Sequence, residues 1–108
     1  MFQLGEAVRS GDAARALRIL GGLQAEGAEA VFVLWSLVRE LRVQQSGTPP
    51  GARLRAPRLP FARLAMRAGR ADRMAKGLSA GNAWDEMALL AVELTGMRSL
   101  PIVRAAGG

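Results

Sequence analysis

Chemistry needs particular side chains at particular spacings, and this chain supplies few of them. It has no cysteine and no histidine. That excludes disulfides, thiolate and imidazole metal ligands, a cysteine nucleophile and proton transfer by an imidazole. Asp85 and Glu86 form an adjacent carboxylate pair. Neighbours on a helix point about 100° apart, so the two cannot share one site, and their ordinary role is to place negative charge at a helix N-terminus. Leu20-Gly21-Gly22-Leu23 lacks the spacing of a phosphate-cradling loop and falls inside a helical pattern. No serine has a base beside it to activate it. These residues assemble no catalytic site, no cofactor site and no metal site.

What remains is cationic. The net charge of +6 divides unevenly along the chain. Residues 1–50 carry five arginines and five acids, which cancel. Residues 51–80 carry Arg53, Arg55, Arg58, Arg63, Arg67, Arg70, Arg73 and Lys76 against Asp72 alone. A basic segment of this kind can meet phosphates, coat a solvated face or steer an acidic protein partner. Phe61 alone interleaves its arginines, which is weak support for base stacking. Arg63, Arg67 and Arg70 recur at i, i+4 and i+7, so the pattern predicts one exposed helical edge, with Arg39, Arg42 and Arg73 as further surface cations.

The elements that position these residues are helical, and Ala30 to Leu41, AVFVLWSLVREL, is the one around which the others should arrange themselves. Val31, Leu34, Trp35, Val38 and Leu41 make one stripe at 3.6 residues per turn, with Phe32, Val33 and Leu37 on its flanks. A helix apolar around most of its girth is expected to be covered on several sides. It is shorter than the ~20 apolar residues that span a bilayer. The expected helix continues to about Gln45, with Glu29 in its first turn.

Before it, Phe2, Leu4 and Val8 predict a short helix broken at Ser10-Gly11-Asp12. Asp12 suits the N-cap of a second helix with the stripe Ala13, Ala16, Leu17, Leu20 and Leu23, closed by Gly27. After it, Ser46 to Pro60 holds four prolines and two glycines and reads as a long basic loop. Phe61, Leu64, Ala68, Ala71, Ala75 and Leu78 predict a helix from Pro60 to Lys76 with Gly77 as its stop and an Asp72–Lys76 pair on its surface. Asn82 caps a last helix with the stripe Trp84, Met87, Ala88, Ala91 and Leu94, ended by Gly96. Residues 97–108 read as a loosely held tail. No alternating strand pattern occurs. The expectation is an all-α bundle of four to five helices over residues 1–96, with a core of Leu17, Leu20, Leu34, Trp35, Val38, Leu64, Trp84 and Leu94. The N-terminus, MFQLGEAVRSGD, shows no secretory leader, which points to an intracellular chain.

Three stretches together resemble one family: GDAARALRILGGLQAEGAEAVFVLWSLVREL (11–41), RADRMAKGL (70–78) and AWDEMALLAVELTG (83–96). Their order and spacing are similar to the C-terminal collar domain of the δ subunit of bacterial DNA polymerase III. The shared features are a Gly-Asp turn before an R-A-L-x-I-L helix, an E-G break, an apolar helix ending in R-E-L, an A-D-x-x-x-K-G-L helix end and a W-x-E-x-x-x-L helix. The family carries a longer, helical link where this chain has 46–60. The resemblance implies a non-ATPase oligomerisation domain of the clamp loader, which places the sliding clamp on DNA during replication. It implies partners in the collar domains of the γ/τ ATPase and δ′ subunits, DNA reached only through the complex, no cofactor, metal or membrane, and a bacterial cytoplasmic setting. On that expectation Arg39, Arg42, Arg63, Arg67, Arg70 and Arg73 border a subunit interface. Two alternatives stand beside it: a nucleic-acid-binding module using 51–76, and a helical adaptor that takes a partner peptide in an apolar groove.

Overall fold

The computed structural model describes residues 2–47 and 60–96, with side chains for 3–46 and 60–96. The chain starts with α1, Phe2–Arg9, and α2, Ala13–Ala25. Between them the backbone reverses tightly: the Asp12 amide donates to the Ala7 carbonyl at 2.9 Å and the Gly11 amide to the Val8 carbonyl at 3.1 Å. Gly11 sits at φ +77, where an L side chain is strained, so this reversal needs glycine. Asp12 then caps α2, its carboxylate accepting from the Arg15 amide at 3.0 Å. The same paired closure recurs after α2, where the Ala28 amide reaches the Leu23 carbonyl at 3.0 Å. Gly21 and Gly22 do not stop α2, which runs on to Ala25.

α3 spans Ala30–Gly47 and extends two residues into the stretch expected to be loop. Glu29 precedes its first turn, with its carbonyl accepting from the Val33 amide at 3.2 Å. α4 is Phe61–Ala75 and α5 is Ala83–Leu94. α4 closes as α1 and α2 do, with the Leu78 amide donating to the Arg73 carbonyl at 2.8 Å. Asn82 caps α5 by accepting from the Trp84 amide at 2.8 Å, and Asp85 and Glu86 occupy the first turn. Among the described residues there are five helices and no strand, so the fold is all-α. The expected loop over 48–59 and the expected tail over 97–108 lie outside the described residues.

One core joins all five helices. Leu4, Ala7 and Val8 enter it from α1, Ala16 and Leu20 from α2, and Val33, Leu34, Leu37 and Leu41 from α3. Leu64, Ala68 and Ala71 come from α4, and Met87, Leu90, Ala91 and Leu94 from α5. α4 and α5 form a hairpin, α3 lies against both, α1 pairs with α2 and touches α3, and α2 rests on α5.

Two core expectations need correction. Leu17 is 41% exposed, because Ala16 and Leu20 already fill the narrow stripe that α2 turns inward and Leu17 lies about 100° from Ala16. Trp35 is 59% exposed, because the buried face of α3 is Val33, Leu34, Leu37, Glu40 and Leu41, rotated from the stripe drawn through Val31, Trp35 and Val38. Phe32 is exposed as well, so α3 is covered along one side and open along another. Leu20, Leu34, Leu64 and Leu94 are buried, while Val38 and Trp84 pack at the core's edge. Leu78, placed on the α4 stripe by its spacing, lies past the helix end and is exposed.

Candidate protein-association face

The open side of α3 and the adjoining side of α4 enclose a groove of about 560 Å³. Leu34, Trp35, Val38 and Leu41 line it from α3, and Phe61, Ala62, Ala65, Ala68 and Gly69 from α4. The reason it stays open lies in residue size. Past Phe61 at its first position, the apolar side chains that α4 presents to α3 are only alanine and glycine, which cannot reach across to enclose an indole. Trp35 is therefore held beside the groove and not inside the core. Phe32 lies one turn before it, with ring centroids 5.3 Å apart and planes at 81°, an edge-to-face pair that fixes both rings. Val43 and Met66 add exposed apolar surface on α3 and α4. Arg42 and Gln45 border the groove from α3, and Asp72 from α4.

The arginine edge faces elsewhere. Arg63 pairs with Glu93 of α5. Arg67 donates from Nη1 to Glu86 at 3.1 Å, while its Nε lies 3.2 Å from Glu93 Oε1, an ion pair without hydrogen-bond alignment. Arg70 lies 3.9 Å from Glu86. The three arginines expected on one exposed edge do share a side of α4, with Arg63 and Arg70 exposed and Arg67 half-buried, and they form a ladder against α5. The i, i+4, i+7 spacing placed them on one side of α4 correctly, but Glu86 and Glu93, seven residues apart on α5, supply the opposing rail. Asp72 and Lys76 form the expected i, i+4 pair at 3.1 Å.

Arg39, Arg42 and Arg73 differ from these. Among the described residues no carboxylate pairs with any of them. Arg39 stands one turn past Trp35 on the outward side of α3. Arg73 Nη1 lies beside groove-lining Gly69, 3.9 Å from where a Cβ there would sit. The described residues together hold ten arginine and lysine side chains against nine acidic ones, a net of +1, and Arg53, Arg55, Arg58, Arg98 and Arg104 lie outside them.

A second ionic feature was not assigned from the sequence. Glu40 is 4% exposed and pairs with Arg9 at 2.7 Å, joining α1 to α3. Gly5 makes the room, since a Cβ there would lie 3.2 Å from Glu40 Oε2. Periodicity alone gave a hint, because Glu40 lies between Leu37 and Leu41 on the inward side; its partner is 31 residues away.

Among the described residues, no group of three or more acidic, cysteine or histidine side chains is placed to hold a metal ion, and no helix is long and apolar enough to cross a membrane. Among the described residues, the α3–α4 face offers an apolar binding surface. Comparisons with protein-family models, with curated proteins and with solved structures found no match.

Proposed function

We propose that this chain is a helical association domain of the clamp-loader collar type, similar to the C-terminal domain of the δ subunit of bacterial DNA polymerase III. The observation that carries the association reading is the open α3–α4 face. It presents an edge-to-face aromatic pair in solvent beside an apolar groove whose floor is the outer side of an already assembled core. Exposed aromatic rings next to a concave apolar surface are characteristic of protein interfaces, where rigid rings bury large area at small entropic cost. The clamp-loader identity rests on the order and spacing of the three sequence stretches in 11–41, 70–78 and 83–96. On this reading the domain contributes no chemistry. It holds neighbouring collar domains of the γ/τ ATPase and δ′ subunits, and DNA is met only by the complex.

The interface residues on this reading are Phe32, Trp35, Arg39, Arg42 and Met66, with the groove floor between them. Arg63, Arg67 and Arg70 act inside the domain by fixing α5 to α4. The test is co-elution on a sizing column, at physiological salt, with collar fragments of the clamp-loader ATPase and δ′ subunits. A stable complex that Trp35→Ala disrupts is the expected result. Independent elution of all components refutes the clamp-loader reading.

A further inference from the structure

Among the described residues four arginines have no carboxylate partner; Arg18 is on α2, and the other three lie along the apolar groove. Arg39 and Arg42 stand on α3, and Arg73 stands on α4 with its guanidinium next to Gly69 of the groove. The carboxylate that borders the groove, Asp72, is held by Lys76 at 3.1 Å. The contrast with the other side of α4 is direct: there the arginines meet Glu86 or Glu93. The groove therefore has an apolar floor and a rim of unmatched positive charge.

We propose that this groove docks an amphipathic helix of a partner protein, with an apolar stripe seated between α3 and α4 and Asp or Glu residues flanking that stripe. The stripe would rest on Val38, Leu41, Ala62 and Ala65, and the flanking carboxylates would meet Arg39 and Arg42 on one bank and Arg73 on the other. This deepens the association reading above and rests on it for the claim that the face is an interface. Dimensions agree with a helix. The α3 lining runs from Leu34 to Gln45, about 16 Å at the helical rise, or about three turns of an incoming helix. Alanine and glycine on α4 let a second helix backbone approach closely, and Trp35 closes over it. Charge also separates this occupant from a second copy of the chain. A second copy would bring the same three arginines to the face, with Asp72 already engaged, and like charges across an interface oppose association.

The test uses the full chain and two synthetic helical peptides of about 16 residues, long enough to cover the groove. Both carry leucine at i, i+3, i+4 and i+7; one has glutamate flanking the leucine stripe and the other has lysine. Trp35 emission reports docking, and a Trp35→Phe variant assigns the signal against Trp84. The glutamate peptide is expected to shift the emission to the blue and to bind about tenfold more tightly than the lysine peptide at low salt, with the difference shrinking as salt rises. Reversal of the rim in Arg39→Glu/Arg42→Glu is expected to invert the preference, with an unchanged helical circular dichroism spectrum. Equal binding of the two peptides, binding of neither, or dimerisation of the free chain that itself covers Trp35 would overturn the proposal. The two readings fail separately. If collar fragments co-elute equally well with the rim-reversed chain, the acidic-helix proposal falls and the clamp-loader reading stands. If the glutamate peptide binds by charge and no collar fragment co-elutes, the reverse holds.

Discussion

Removing Arg9 should cost more stability than removing Glu40, although the two form one ion pair. Glu40 has a side chain 6% exposed, and its Oε1 has no hydrogen-bond partner. Its Oε2 depends on the Arg9 guanidinium at 2.7 Å, whose own side chain is 52% exposed. In Arg9→Met the carboxylate loses its cation while remaining buried against α1. Breaking a fully buried pair this way costs ~3–5 kcal/mol, whereas an exposed pair contributes below about 1 kcal/mol. Here one partner already stands in water, which can follow into the space vacated, so the expected loss is about 2 kcal/mol. For a domain of this size that lowers Tm by roughly 8–15 °C. In Glu40→Leu the guanidinium swings into solvent and the buried face of α3 gains an apolar side chain beside Leu37 and Leu41. That change should be within about 0.5 kcal/mol of neutral, or stabilising, and adding Arg9→Met to it should cost little more. Thermal unfolding followed by circular dichroism on the three variants decides the matter. A loss in Glu40→Leu equal to or larger than that in Arg9→Met would refute the reasoning, because it would mean that the carboxylate contributes through something other than its buried charge.

Further expectations concern packing, backbone and the arginine ladder. Trp35→Ala should leave stability within about 1 kcal/mol of the parent, since the ring is exposed, whereas Leu34→Ala should cost ~2–5 kcal/mol; chemical denaturation of the two reads the contrast between adjacent residues. Gly81→Ala should cost ~1–3 kcal/mol, because Gly81 holds φ +125 and a Cβ there would lie 2.8 Å from Met74 Cε. Gly21→Ala should instead add ~0.5–1 kcal/mol, because nothing lies within 4 Å and the backbone is helical; the pair is compared by thermal melting. Arg67→Lys should lower stability by about 1 kcal/mol in the same assay, since one ammonium cannot reach Glu86 and Glu93 as the two ends of a guanidinium do; an unchanged melt would show that Arg63 and Arg70 suffice.

Local structure was legible in the sequence wherever one side chain or one turn determined it. Asp12, Gly27, Gly77 and Asn82 marked helix ends because capping and left-handed closure are decided within a few residues. The inward faces of α4 and α5 followed from spacing, except that Leu78 was carried past the end of α4 and that Ala83 and Leu90 were missed beside the Met87 and Ala91 stripe. Rotation of α3 was not legible. With Val31 to Val38 apolar nearly all round, several stripes fit equally, and the one chosen by the fold depends on what α4 offers opposite. Because α4 offers Ala62, Ala65 and Gly69, the aromatic side of α3 stays outside. The arginine edge was placed on the correct side of its helix, but its partners on α5 were not assigned. A helical period assigns direction on one element and says nothing of the carboxylates that a second element brings.

The α4–α5 hairpin also bears on the order in which the chain gains structure. Its two helices are neighbours in sequence, joined through a turn that closes on Arg73 and a cap at Asn82, and its ladder draws together residues 16 to 30 positions apart. Short closures of this kind form early, since little chain entropy is lost before contacts repay it. α3 has no comparable local partner: its buried face needs α1 before it in the sequence and α4 and α5 after it. The hairpin should therefore act as a platform on which α3 docks late, so that native-state amide exchange is slowest in α4 and α5 and faster along α3. Slowest exchange in α3 would place the start of folding there instead. With the hairpin formed first, Trp35 and its groove are the last part of the surface to be shaped, and a bound partner helix would stabilise the element that the domain secures last.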